Sequence, residues 1–177
     1  MIKLTDDEKQ KITDGKQYLK NNDIVGFCKN TQSNMLGRIM QFLMENGIDV
    51  FNYIESIPAG MFNGAEFDTI TIPDHITKIG NRAFYNCANL TSVNIGDSVS
   101  TIGDNAFSDC PQLKQVFLPN SVRILGEKIF GNNDDVIIYA EERTGGTRLK
   151  CKKNEIPWYK EHLFRQPTSN DSEEAEL

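Results

Sequence analysis

The chain has 177 residues, 38% apolar and 25% charged, and a formal charge of −6. That composition fits one soluble globular domain with a modest cap and excludes a low-complexity disordered chain. The acidic balance argues against a wide grip on nucleic-acid phosphates, and no apolar run is long enough for a leader or a spanning helix, so a cytoplasmic chain is expected.

The first 53 residues read as a helical cap. Thr5-Asp6-Asp7-Glu8 is a capping box that opens a helix running to about Lys20. A short helix is expected over residues 23–29, where Ile24, Phe27 and Cys28 fall at helical spacing, and a third over about 33–46, closing at Gly47. Met35, Leu36, Ile39, Met40, Phe42, Leu43 and Met44 spread apolar groups over more than one stripe of that third helix. It is therefore either wrapped on several sides or offers a face to a partner. Residues 48–54 connect this cap to a periodic central region.

From Ile79 to Ile95 the chain reads I-G-x-x-A-F-x-x-C-x-x-L-x-x-V-x-I, and the same pattern returns from Ile102 to Leu118 at an offset of 23 residues with no gap. A third copy starts at Leu125-Gly126 and carries Phe130, then degrades, with Asn133 where the cysteine stood. A degenerate first copy starts at Ile57 and carries Phe62, Phe67, Ile70 and Ile72, with Ala65 at the cysteine position and one residue missing before Phe67. About four turns of a stacked repeat are therefore expected. Val93 and Ile95, like Val116 and Leu118, alternate with polar residues, so each turn should hold one short strand with one face inward. Equivalent residues should then stack as ladders: Phe84-Phe107-Phe130, Ile79-Ile102-Leu125 and Cys87-Cys110. Gly80, Gly103 and Gly126 come directly after the aliphatic position, which suits a positive φ or a close backbone approach. Pro73 and Pro119, with Gly96 between them in register, end the strands.

This pattern, continued by S-V-x-x-I/L at residues 98–102 and 121–125, resembles the BspA-type leucine-rich repeats over about residues 54–140. The resemblance implies an α/β solenoid: a short right-handed leucine-rich-repeat array of about four turns with an N-terminal helical cap and a small C-terminal cap. It also implies a role in binding other macromolecules, with no chemistry. Small unsecreted chains with such repeats look like bacteriophage or gut-bacterial gene products, and in its sharpest form the resemblance implies a phage-encoded inhibitor of a host enzyme or defence system.

After Tyr139 the repeat is lost. Residues 149–151 read as a terminal strand and 156–164 as a short helix with Pro157 at its first position, where Trp158 or Leu163 could cover the last turn. Residues 141–165 thus form a second cap, and the acidic, aperiodic stretch 166–177 a disordered tail. Residues 54–140 hold ten acidic and five basic side chains, whereas 141–165 hold four and seven.

Catalysis needs a base or nucleophile held by a second group, and His75 and His162 are the chain's two histidines, neither set in such an arrangement. Cys28, Cys87, Cys110 and Cys151 contain no CxxC pair, and stacked Cys87 and Cys110 suit inert buried packing. Gly145-Gly146 lacks the pattern of a phosphate cradle. No enzyme, cofactor or metal site is expected.

Recognition is expected on the outward residues of the strands: Thr69, Thr71, Ser92, Asn94, Gln115 and Phe117, with Lys114 at the sheet's edge. Phe117 reads either as an interface anchor or as a residue covered by the second cap or by local packing. Arg82, Tyr85, Asn105 and Arg123 could form a second surface, and the register of residues 136–139 is open by one. The expected function is a non-enzymatic protein–protein interaction module that blocks or scaffolds another protein. The alternative is a structural or adhesion-type subunit of a virion or surface layer, docked through the apolar third helix. Nucleic-acid binding through Arg143, Arg148, Lys150, Lys152 and Lys153 ranks behind both.

Overall fold

The computed structural model describes residues 2–15, 18, 20, 21, 23–31, 33–141 and 148–152. The N-terminal region opens with helix α1 (Asp6–Asp14), whose capping box is complete. The Glu8 amide donates to Thr5 Oγ1 at 3.2 Å and the Thr5 amide to Glu8 Oε2 at 2.7 Å. Gly15 ends α1 earlier than the sequence pattern suggests. Helix α2 (Ile24–Asn30) starts under Asp23, whose carboxylate accepts the Gly26 amide at 2.7 Å. Helix α3 (Ser33–Glu45) comes next, Gly47 closes it at φ +85°, and a 3₁₀ turn (Val50–Tyr53) leads into the repeats.

The repeats form a solenoid with two parallel sheets. The longer strands β2 (Thr69–Ile72), β4 (Ser92–Ile95), β6 (Gln115–Leu118) and β8 (Ile137–Glu141) lie side by side, and β9 (Arg148–Lys152) adds an antiparallel edge. Two-residue strands β1 (Ser56–Ile57), β3 (Lys78–Ile79), β5 (Thr101–Ile102) and β7 (Ile124–Leu125) make a second sheet. The alternation of polar and apolar residues reveals only one strand per turn, because a two-residue strand contributes a single inward side chain and has no period to read. The strand expected at residues 149–151 is β9; the terminal helix and the tail lie outside the described residues.

Within each coil the segment between the two sheets is a run of tight turns. Alternate amides there reach the next coil: Arg82 N–H donates to Asp104 O at 2.8 Å, Phe84 to Ala106 O at 2.8 Å and Asn86 to Ser108 O at 3.0 Å. One coil later Asn105 donates to Glu127 O and Phe107 to Ile129 O. This third ladder needs left-handed backbone at fixed places, and Gly60, Arg82, Asn105 and Lys128 adopt it at one repeat position, with φ between +48° and +67°. A non-glycine residue there costs about 1–2 kcal/mol, and the inter-coil hydrogen bonds offset it. Gly80, Gly103 and Gly126 are not the left-handed residues; of the two roles open to them, theirs is close approach. A Cβ on Gly103 would sit 2.6 Å from the Asn81 amide nitrogen.

Inside, Phe62, Phe84, Phe107 and Phe130 stack in one column with centroids 5.0, 5.2 and 6.1 Å apart. All four are essentially inaccessible. Each buried ring contributes about 1.5–3 kcal/mol, and each stacked pair about 0.5–1.5 kcal/mol more. Phe51 extends the column into the cap at 5.6 Å from Phe62. Helix α3 closes the column's end: Leu36, Ile39, Met40 and Leu43 are buried, and Met35 and Met44 pack partly against the same core. Gly37 lets the helix backbone come against the main chain at Phe62 and Asn63. Of the two readings of that helix, burial on several sides is the one observed.

A polar joint fixes the cap's orientation. Arg38 Nε donates to Glu8 Oε1 at 2.7 Å, a second guanidinium nitrogen pairs with Glu66 of the first coil, and a third donates to Lys3 O at 2.8 Å. Gln41 accepts the Glu66 amide at 2.6 Å. Burial of Glu8 works against its charge, but the Thr5 amide, the Arg38 guanidinium and the Thr5 hydroxyl outweigh it and hold the carboxyl below the ordinary glutamate value.

This packing sets two expected outcomes. Phe107→Ala should destabilise the fold by about 3–5 kcal/mol in chemical denaturation, because the rings on either side cannot collapse into the gap. Glu8, with its pKa lowered by folding, contributes stability that is present above the unfolded value and is lost as pH falls through the folded one. The denaturation midpoint should therefore drop from pH 6 to pH 3, and Glu8→Gln should make that drop shallower; an unchanged slope would mean that the joint carries no such linkage.

Candidate functional site

Strand pairing sets the expected outward residues into two cross-strand rows on one face. Thr71, Asn94, Phe117 and Tyr139 are mutual partners in one, and Thr69, Ser92, Gln115 and Ile137 in the other. The last pairing is offset by 22 residues, which resolves the open register and brings Tyr139 beside Phe117. Their rings stack at 4.8 Å and 15°, both half-buried. In the backbone register of β9, Lys150 pairs with Tyr139 and Lys152 with Ile137.

The first row changes along its length from short polar to large aromatic side chains. The step encloses a cavity of about 510 Å³, floored by Thr71 and Asn94, walled by Phe117 and Tyr139, and rimmed at the strand ends by Asp74, Asp97 and Pro119. The Asp97 amide donates to Asp74 Oδ1 at 3.0 Å, so the two acids are held as neighbours. Of the expected binding residues, Thr71, Asn94 and Phe117 meet here. Thr69, Ser92 and Gln115 form the second row, outside the cavity. Lys114 is exposed just before β6, where its backbone bridges the coils through Thr91 O and the Ile137 amide. Asp74, Asp97 and Tyr139 were not anticipated. The 23-residue spacing of the two acids was visible in the sequence, whereas Tyr139 was hidden by the shortened last coil.

The second expected surface divides. Arg82 and Asn105 line a concavity of about 460 Å³ at the turn corners, together with Asn63, Asn81 and Asp104. The Arg82 guanidinium lies 5.6 Å from the centre of the Tyr85 ring, and the neighbouring Asp109 carboxylate, as a hydrogen-bond acceptor, raises the Tyr85 hydroxyl above its ordinary pKa. Arg123 stands apart, donating to the carbonyls of Asn120 and Val122.

Among the described residues, Cys87, Cys110 and His75 make structural contacts. Cys87 Sγ donates to Phe62 O at 3.3 Å and Cys110 Sγ to Phe84 O at 3.1 Å, each tying one coil to the one before. The adjacent Cys110 sulfur and burial together push the Cys87 thiol far up, and burial pushes Cys28 up to about 12, so neither is a thiolate nucleophile at neutral pH. His75 is exposed, as a turn residue should be, but its Nε2 lies 2.9 Å from Phe51 O and ties its loop to the cap. Among the described residues no three of His, Cys, Asp and Glu gather as a metal site, and no helix is long and apolar enough to cross a membrane.

Residues 45–140, just over half of the chain, match a family model described as BspA type Leucine rich repeat region (6 copies). No curated protein and no solved structure matches the chain.

Proposed function

The chain belongs to the BspA-type leucine-rich repeat family, and from that premise we propose that it is a non-enzymatic module that binds another protein across the exposed face of its longer sheet and thereby blocks or scaffolds it. The family's repeats are interaction elements, and a solenoid offers one continuous, rigid face made of equivalent positions. The observation that carries the reading is the step in the outer row, where a polar Thr71–Asn94 floor meets the Phe117–Tyr139 pair. Aromatic side chains set in a polar surface are the usual centres of binding energy. In the sharpest form of the reading the partner is a host enzyme or defence component held inactive by this chain in the cytoplasm. Helix α3, which the alternative of a structural subunit would use as its docking face, has Leu36, Ile39, Met40 and Leu43 in the core and Met35 and Met44 packed partly against it, while Phe42 is half-buried outside it.

The test is affinity capture with wild-type and Phe117→Ala baits from the native host cells. One stoichiometric partner is expected, with affinity for the variant lower by roughly 30-fold, the loss of one hot-spot residue of about 2 kcal/mol. Thermal unfolding of the variant should fall only slightly, since it loses one exposed-face stack of about 0.5–1.5 kcal/mol. Capture only of further copies of the chain would turn the reading to a structural subunit.

A further inference from the structure

The composition of the cavity beside Phe117 narrows what can enter it. Two carboxylates, Asp74 and Asp97, stand on its rim, with Thr71, Asn94, Phe117 and Tyr139 among the other lining residues. The Asp74 carboxylate already accepts the Asp97 amide, which sets the two acids side by side. Asp97 is exposed, and its carboxylate has no partner among the described residues. The stacked Phe117–Tyr139 pair also lines the cavity.

We propose that this cavity receives a cationic side chain, an arginine or lysine, presented by a basic segment of the partner protein; the inference rests on the reading that this face binds protein. A guanidinium plane can lie on an aromatic ring while its N–H groups meet carboxylates, and both attractions strengthen as water is excluded. A neutral occupant would desolvate two neighbouring like charges and return nothing for them, and an anionic one would add repulsion. Residues 54–140 hold ten acidic against five basic side chains, so the solenoid as a whole favours the approach of a basic segment.

The probe is the peptide acetyl-Gly-Arg-Gly-Arg-Gly-amide, titrated into the isotope-labelled full chain and followed by NMR, beside the same peptide with citrulline for arginine and a neutral tetrasaccharide. The arginine peptide should move the amide signals of Thr71, Asn94, Asp97 and Phe117. The citrulline peptide should bind at least about fivefold more weakly. Asp74→Asn combined with Asp97→Asn should weaken the arginine peptide equally while thermal unfolding stays unchanged. Equal binding of the two peptides, movement of these signals by the saccharide instead, or no movement at all would overturn the assignment. Capture separates the two levels. A partner lost by Phe117→Ala but kept by the double variant leaves the binding face standing and removes the cation, whereas a partner kept by both removes both.

Discussion

Everything in this fold depends on each coil handing its backbone hydrogen bonds to the next in register. The two sheets do so by parallel pairing, and the turn corner does so through alternate amides from Gly60 to Phe107. A slip of one residue would break all three ladders together and turn the inward side chains outward. The spacing of 23 residues between Phe84 and Phe107, and again between Phe107 and Phe130, is the sequence's record of that constraint. The phenylalanine column gives the correct register its energetic advantage, and the thiols of Cys87 and Cys110, each bonded to the carbonyl of a phenylalanine one coil back, reinforce it.

The first coil needs an end as well as a register, and the cap supplies both an apolar and a polar device. Phe51 and helix α3 cover the column, while Arg38 joins α1, α3 and the first coil through Glu8 and Glu66. Burying Glu8 without that guanidinium would leave an uncompensated charge, so the joint rewards one orientation of the cap over others. The face used for recognition is then a by-product of the same stacking. Whatever residue occupies the outward position of one strand lies about 4.8 Å from its counterpart on the next, and a change of residue type along the row becomes a change of surface shape.

The architecture was legible in the sequence to the extent that it is periodic. Two gap-free copies reveal the inward ladders, the strand positions and the outward rows, and capping residues reveal the helices. Three things were not legible, each for a physical reason. The second sheet has strands too short to show a period. One left-handed position is held by Gly60 in the first coil but by Arg82, Asn105 and Lys128 in the next three, so it shows no glycine repeat, and inter-coil hydrogen bonds sustain the conformation at Arg82 and Asn105. The missing residue in the last coil leaves the register of Tyr139 open in the sequence, so the aromatic pair beside the candidate cavity appears only once β6 and β8 are paired. Part of the cavity was therefore anticipated, through Thr71, Asn94 and Phe117. The acids at its rim lie in loops, where outward-facing strand logic does not reach.

The interaction reading, and the cation reading built on it, both assume that the rows are set by coil register rather than by any single side chain. Removing one whole coil tests that assumption most directly. Deleting residues 93–115, which is 23 residues, joins Ser92 to Val116 and preserves every ladder, while deleting 94–115 removes one residue fewer and shifts them. Far-UV circular dichroism and denaturant unfolding of both chains are the measurement. The account predicts that the first deletion folds cooperatively as a shorter solenoid and the second does not; two chains equally folded, or equally unfolded, would contradict it.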